Sequence, residues 1–411
     1  MEQFLKKAKK ASKIISQLDT KTKNQILEQM AKALMDNCNY IIKNNNKDLE
    51  KARENNLNST LLDRLILTGE KVQEMSNALL TISKLKDPIN RVLDGWVNED
   101  GLNIQKISTP LGVIGVVYES RPNVTSDCAA LCFKSGNVVI LKGGKEAQNS
   151  STAIVEILQE VLIKNNLAKE CISLIPEYTQ EGVKKLLKQD KYIDLLIPRG
   201  GASLIEFITK NSCIPIVKQD KGLCHIFVDK YADFNKARKI AINAKCQRPS
   251  VCNSMETLLI HQDIAEEILA LFYEDFMQEG TKLLGCEKTC KIIKAKLANE
   301  ENFHTEYLSN TLNIKIVKDL NEALFHIATF SSGHSEAIIS ENYTNIEHFL
   351  AQVDSACVYA NASTRFTDGS CFELGAEVGI STNKLHARGP MGLNELTSYK
   401  FKIYGKGQVR A

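Results

Sequence analysis

The sequence is poor in the features that most readily assign a chain. Its 52 basic residues are nearly matched by 49 acidic ones, so no excess of one sign points to nucleic acid or to a charged membrane surface. No stretch approaches the ~18 uninterrupted apolar residues of a spanning helix. The charged start, MEQFLKKAKKASKII, has no long apolar core and no small-residue cleavage site, so no secretory signal is expected. Proline is scarce, with 8 in 411 residues, while lysine and asparagine abound, a compositional bias rather than a functional mark. Two cysteine pairs, Cys128/Cys132 and Cys286/Cys290, lack the second pair or histidine pair that a zinc site needs. No metal is expected. Twelve scattered cysteines suit a reducing compartment, and the cytoplasm is the expected location.

What is present reads as a globular α/β protein. Hydrophobic residues make up 43% and charged residues 25%, and 411 residues are enough for two or three domains. The first ninety residues show helical spacing: Ile26, Met30, Leu34 and Cys38, then Leu61, Leu62, Leu65, Val72, Met75, Leu79 and Ile82. Two extended runs, Arg91–Val97 and Leu102–Ser108, flank Asp100-Gly101, a hairpin signal. Strands are then expected at Gly112–Val117, Val138–Leu141, Cys171–Ile175, Tyr192–Ile197, Ile214–Val217 and His225–Val228. Helices fall between them at Gln148–Ile163, Glu181–Lys188 and Gly201–Lys210. This alternation implies a parallel sheet covered on both faces, a Rossmann-like pattern, but without the G-x-G-x-x-G fingerprint. A second α/β alternation follows and runs to Ala360, and the tail from Leu396 to Arg410 reads as a strand.

Candidate chemistry concentrates at a few turns. Cys252 falls in a loop between a helix and a strand; Arg248-Pro249 stops the helix because the residue before proline is pushed out of the α region. Lys245 and Arg248 are close in sequence, and nearby cations favour the nucleophilic thiolate. Lys142 ends a strand, where open α/β sheets bind ligands, with Gly143-Gly144 and Lys145 after it. A phosphate site and an ordinary solvated turn are both open readings there. Arg199-Gly200-Gly201 has the same context and opens a helix, whose free N–H groups can take an anion. Arg121 and Asn123 follow another strand and could face a substrate or cap a turn. The arginine-rich segments Asn361–Arg365 and His386–Pro390 suggest anion binding, although a lone histidine such as His386 is more often simply hydrogen-bonded.

Several long motifs carry a resemblance. PLGVIGVVYESRPNVTSD (Pro110–Asp127), LKGGKEA (Leu141–Ala147), QRPSVCNSMETLL (Gln247–Leu259), NASTRFTDG (Asn361–Gly369) and LGAEVGISTNKLHARGPMGLNELTSYK (Leu374–Lys400) resemble the γ-glutamyl phosphate reductases of the aldehyde dehydrogenase superfamily. The match is in order and spans nearly the whole chain. It implies a cofactor domain at 1–226 with a hairpin at about 90–109, a catalytic domain at 227–361, and a return at 362–411. That return would end in a strand which, with the hairpin, pairs with another subunit in a homodimer or tetramer.

The resemblance makes Cys252 the nucleophile and Asn123 a candidate oxyanion donor. It makes Lys142, Lys145, Gly200, Gly201 and Glu306 cofactor residues, and Arg121, Arg248 and Arg365 substrate anchors. Lys145 stands where NAD-preferring relatives commonly carry a glutamate, and a cation there suits a 2′-phosphate, so NADPH/NADP is the implied cofactor. The stretch Lys218–His225 lacks the glutamate that activates water in hydrolytic aldehyde dehydrogenases, and Asp220 is outside the expected motif. Reduction of an acyl phosphate needs no such water. The implied activity is NADPH-dependent reduction of L-glutamyl 5-phosphate to glutamate 5-semialdehyde in proline biosynthesis, and the implied partner is glutamate 5-kinase in a transient contact. The alternatives are a phosphate-independent aldehyde dehydrogenase and a non-catalytic nucleotide-binding scaffold.

Overall fold

A computed structural model of the chain describes residues 2–57, 59–175, 177, 179–218 and 221–410, without the side chains of residues 59, 60 and 180. Asp220, weighed above as a possible base, lies outside the described residues. Two compact units make up the chain. One comprises Met1–Gln219, Glu373–Gly379 and Leu385–Ala411, the other Asp220–Phe372 and Ile380–Lys384.

The first unit begins with helices α1 (Glu2–Ile15), α2 (Thr20–Asp36), α3 (Cys38–Glu54), α4 (Ser59–Leu65) and α5 (Gly69–Lys84). The apolar positions that recur at helical spacing are the buried ones: Ile26, Met30 and Leu34 on α2, and Val72, Met75, Leu79 and Ile82 on α5. Asp19 starts α2 by accepting the Thr22 N–H at 2.8 Å, which satisfies one of the helix's orphan donors. The hairpin follows as antiparallel β1 (Val92–Val97) and β2 (Asn103–Pro110). Gly101 turns it at φ 78°, a conformation glycine adopts without strain. The C-terminal strand Thr397–Tyr404 pairs with β2 of the same chain. The resulting three-stranded sheet leaves Val92, Leu93, Trp96, Val97, Phe401 and Ile403 exposed.

A four-stranded parallel sheet forms the middle of this unit: β3 (Val113–Tyr118), β4 (Val138–Lys142), β5 (Ile172–Leu174) and β6 (Leu195–Arg199), in the order β5-β4-β3-β6. Every residue of β3 and β4 is buried, as expected of strands covered on both faces. The chain winds outward from β3 in both directions, so the ends of β3 and β6 flank a topological switch point, where such sheets bind ligands. Helices α6 (Pro122–Lys134), α7 (Gln148–Lys164), α8 (Gln180–Leu186) and α9 (Ala202–Asn211) make the connections. Helix α6 is not among the expected elements. Pro122 is the first residue of that helix, the position its fixed φ suits. The strand expected at Ile214–Val217 is reduced to a single bridge between Leu196 and Ile216. Pro215 in its middle has no N–H to give a ladder.

The second unit holds seven parallel strands: β7 (Cys224–Val228), β8 (Met255–His261), β9 (Lys282–Gly285), β10 (Lys296–Leu297), β11 (Thr311–Val317), β12 (Ser335–Ile339) and β13 (Cys357–Ala360). Their order is β10-β9-β11-β8-β7-β12-β13. Helices α10 (Phe234–Cys246) and α11 (Ala265–Gln278) share an apolar cluster with one face. Helices Leu320–Phe330 and Tyr343–Gln352 share another with the opposite face. Strands β9 and β10 were not anticipated, being too short to show a period. Among the described residues no helix is long and apolar enough to cross a membrane.

Candidate active site

In the second unit, Cys252 lies on the loop that joins the end of α10 to the start of β8. The loop closes in a turn, with the Ser254 N–H donating to the Val251 carbonyl at 3.1 Å. Cys252 is half-buried. A Cβ on Gly222 would lie 1.8 Å from the Cys252 carbonyl oxygen, so the two backbones touch and only glycine fits. The Gly222 N–H donates to Glu306 Oε1 at 2.8 Å. Burial raises the Glu306 carboxyl above its usual range, while that hydrogen bond pulls it down. The buried Cys224 thiol donates to the Cys252 carbonyl at 3.3 Å; burial pushes its pKa well up, so it stays protonated.

Arg365 grips both ends of the loop. Its Nε donates to Gln247 Oε1 at 3.0 Å and its Nη1 to Asn253 Oδ1. Asn253 is buried and donates to the Thr367 carbonyl at 2.8 Å, while its own carbonyl accepts from the Thr364 hydroxyl at 2.8 Å. Burial lowers the Arg365 pKa, and the positive charge of Arg248 adds to the effect; Cys252 acts on it in the opposite sense. Arg365 and Cys252 are therefore electrostatic neighbours, and Arg248 stands close to Arg365. Lys245, expected from sequence proximity to be a further cation for the thiol, is instead buried and paired with Glu256 at 2.8 Å. Burial lowers Lys245 and raises Glu256 to about 7.

The first unit carries the other candidates. Lys142 ends β4, 3% exposed, with Nζ donating to the Gly143 carbonyl at 3.0 Å; burial lowers its pKa. Lys145, three residues on, is exposed. Glu146 accepts from the Ser120 N–H at 3.1 Å and its hydroxyl at 2.7 Å. A Cβ on Gly144 would lie 2.2 Å from that carboxylate. The Gly201 N–H at the start of α9 donates to Glu119 Oε2 at 2.8 Å, so one donor of the anticipated Gly200-Gly201 anion site is already engaged by an internal carboxylate. Arg121 and Asn123 flank Pro122 and are exposed, with Asn123 Nδ2 donating to Asp127 Oδ2 at 3.2 Å. The His386 ring lies 2.9 Å from the Glu395 carbonyl oxygen, an ordinary satisfied histidine.

Cys252, Arg365, Arg248 and Glu306 are thus brought together in the second unit, and Lys142, Lys145, Gly200, Gly201, Arg121 and Asn123 belong to the first. Sequence reasoning missed Gly222, Gln247, Asn253 and Glu256. Only Glu256 left a signal: a carboxylate second in the mainly apolar strand METLLIH, buried throughout, where a buried charge demands a partner. The donor set at the end of β4 fits a dinucleotide: a buried ammonium at a strand's carboxyl end, a side-chain-free Gly143-Gly144 and a second cation at Lys145.

A loop-borne cysteine on an all-parallel sheet, joined in one chain to a doubly wound sheet, defines a class of thiol-dependent enzymes that use a dinucleotide. The chain belongs to the aldehyde dehydrogenase family, whose model matches residues 1–282, and membership implies a nicotinamide cofactor. It is 58% identical over 410 residues, all of both chains, to the γ-glutamyl phosphate reductase of Aliarcobacter butzleri. It is likewise 58% identical over 411 residues, all of both chains, to that of Nitratiruptor sp.. The crystal structure of γ-glutamyl phosphate reductase from Thermotoga maritima matches with a TM-score of 0.98 at 43% identity, covering 100% of this chain and 99% of that one.

Proposed function

We propose that the protein reduces L-glutamyl 5-phosphate to L-glutamate 5-semialdehyde and phosphate with NADPH, the second step from glutamate to proline. The observation that carries this reading is the Cys252 loop, gripped by Arg365, flanked by Arg248 and held against Gly222. Its support is the full-length kinship to γ-glutamyl phosphate reductases. The Cys252 thiolate attacks the acyl phosphate carbonyl and forms a C–S bond; the carbon–oxygen bond to phosphate breaks, and phosphate departs with the electron pair. The Cys252 backbone N–H stabilises the developing oxyanion, such a donor being worth ~3 kcal/mol, and the kinship leaves Asn123 as the candidate side-chain donor. Arg121, Arg248 and Arg365 hold the substrate's phosphate and carboxylate, for which the guanidinium fork is shaped.

Lys142 and Lys145 would hold the phosphates and adenosine ribose of NADPH; the Gly200-Gly201 turn, its Gly201 N–H already taken by Glu119, would contribute only its lack of side chains, and the kinship assigns Glu306 to the nicotinamide ribose. When bound, NADPH supplies the hydride that reduces the Cys252 thioester. The resulting thiohemiacetal collapses, returning the Cys252 thiolate and releasing the aldehyde. The exposed apolar residues of the β1–β2 hairpin and the C-terminal strand supply the face on which copies of the chain assemble. Cytoplasmic location and a transient hand-over from glutamate 5-kinase complete the reading, since the acyl phosphate is labile.

The reverse reaction tests it: pyrroline-5-carboxylate with NADP⁺, with and without inorganic phosphate, followed by NADPH absorbance. Phosphate-dependent formation of NADPH is expected. Equal rates without phosphate would mean a hydrolytic aldehyde dehydrogenase, and no rate in either case would overturn the proposed substrate.

A further inference from the structure

The Lys245–Glu256 pair has no task in the chemistry just described, yet it lies at the root of the nucleophile's loop. Lys245 is in the last turn of α10 and Glu256 is second in β8, so their 2.8 Å contact closes the loop at its base. The Ser254 hydroxyl adds a 3.4 Å bond to the Lys245 carbonyl. Both partners are almost wholly buried, at 0% and 1%. Such a pair adds little stability over apolar residues of similar volume, because desolvation offsets the attraction. What it does add is direction.

Glu256 also points a second way. Its Oε1 accepts from the Leu308 N–H at 3.4 Å, while Oε2 holds Lys245. Leu308 has φ 50°, a left-handed conformation that a branched residue adopts only when its surroundings impose it. Two residues earlier, Glu306 accepts the Gly222 N–H, and Gly222 lies against the Cys252 backbone. The contacts form a circuit from Lys245 through Glu256, the Glu306–Leu308 segment and Gly222 to Cys252.

We propose that Glu256, held by Lys245, is a positioning residue for Cys252: it fixes the base of the nucleophile's loop and ties that loop to the segment bearing Glu306. This rests on Cys252 being the nucleophile. Glu256 touches neither substrate nor cofactor and acts through the backbone. Loss of the pair leaves the chain folded and the cofactor bound but lets Cys252 drift from its reactive position.

The test compares the wild type with Lys245→Met/Glu256→Leu and with Glu256→Gln. Three readouts are needed: unfolding temperature, kcat and KM in the reverse reaction, and the iodoacetamide rate of Cys252 relative to exposed Cys213, resolved by peptide mass. The double variant is expected to unfold no lower than the wild type while kcat falls about 100-fold, the scale of a 1 Å misplacement. KM for NADP⁺ should stay within about twofold, and the Cys252/Cys213 alkylation ratio should shift about tenfold. Glu256→Gln, which keeps an acceptor for Leu308, is expected to recover about half of the logarithmic loss in kcat. Wild-type kcat and alkylation ratio in a folded double variant would overturn the proposal. If the double variant does not fold, wild-type values in Glu256→Gln would do so. Retained turnover in Cys252→Ser would instead remove the nucleophile itself, a separate failure read on a separate variant.

Discussion

The two units equip their reactive corners in opposite ways. Around Cys252 the side chains that matter are donors: Arg365 on Gln247 and Asn253, and the Cys224 thiol on the Cys252 carbonyl. At the ends of β3, β4 and β6 in the first unit, carboxylates meet the local donors: Glu119 on the Gly201 N–H, Glu146 on Ser120 and Asp127 on Asn123. The first arrangement braces the Cys252 loop with guanidinium and thiol donors. The second keeps a glycine-lined turn in shape from within, with Lys142 buried at the strand's end and Lys145 exposed beside it. A catalytic loop must be rigid before substrate arrives, whereas a cofactor corner needs room for backbone approach. The same contrast separates Cys252 from Cys128 on α6, whose thiol burial pushes up to about 12. Environment, not residue type, sets how readily a thiol ionises.

The sharpest way to break this comparison is at the thiol. Cys252→Ser is expected to lower kcat by at least about 10,000-fold, as loss of a nucleophile does elsewhere, while NADP⁺ binding by fluorescence titration stays near wild type. Next comes the backbone contact. Gly222→Ala would put a methyl 1.8 Å from the Cys252 carbonyl oxygen, so one of the two segments must shift. A fall in kcat of about 100-fold is expected, with a stability loss of about 1–3 kcal/mol read by denaturant unfolding. An unperturbed kcat would show that the loop tolerates displacement and that its bracing is incidental. The corresponding change in the first unit is gentler: Lys145→Glu is expected to reduce kcat/KM with NADPH about tenfold and to leave NADH use unchanged or improved. Equal loss with both cofactors would mean that Lys145 does not read the 2′-phosphate.

Both units were visible in the residues to very different depths. The parallel sheets announced themselves through apolar runs such as Val138–Leu141, which need burial on two faces. Pro122 carries no decisive signal because proline serves turns and helix starts alike, and the periodic pattern of α6 is obscured by its almost complete burial. The placement of Cys252 on the loop before β8, and of Lys142 and Lys145 at the end of β4, was legible because the cues are local: Arg248-Pro249 stops a helix and an apolar run marks a strand. Gly222 and Glu306 were not legible as a pair, for 84 residues separate them and nothing in either segment encodes the approach. Lys245 misled for the same reason. Sequence proximity to Cys252 suggested a field on the thiol, but its charge is spent on Glu256, a strand away.

The smallest effect sharpens the comparison on the first unit's side, at Asp127. Burial raises its carboxyl from 3.8 to about 6, against the downward pull of hydrogen bonds from Asn123 and Ser126. Between those two values the folded chain binds more protons here than the unfolded chain does, so stability falls as pH rises through the window. The contribution of this group is fully present below 3.8 and is lost above about 6. Asp127→Asn cannot ionise and escapes that loss. Its unfolding temperature should therefore exceed the wild type's by a few degrees at pH 8, corresponding to on the order of 1 kcal/mol, and the gap should close towards pH 4. A gap that is constant with pH would mean that Asp127 carries its charge without strain, and that the carboxylates of this corner are as comfortable as the cations around Cys252.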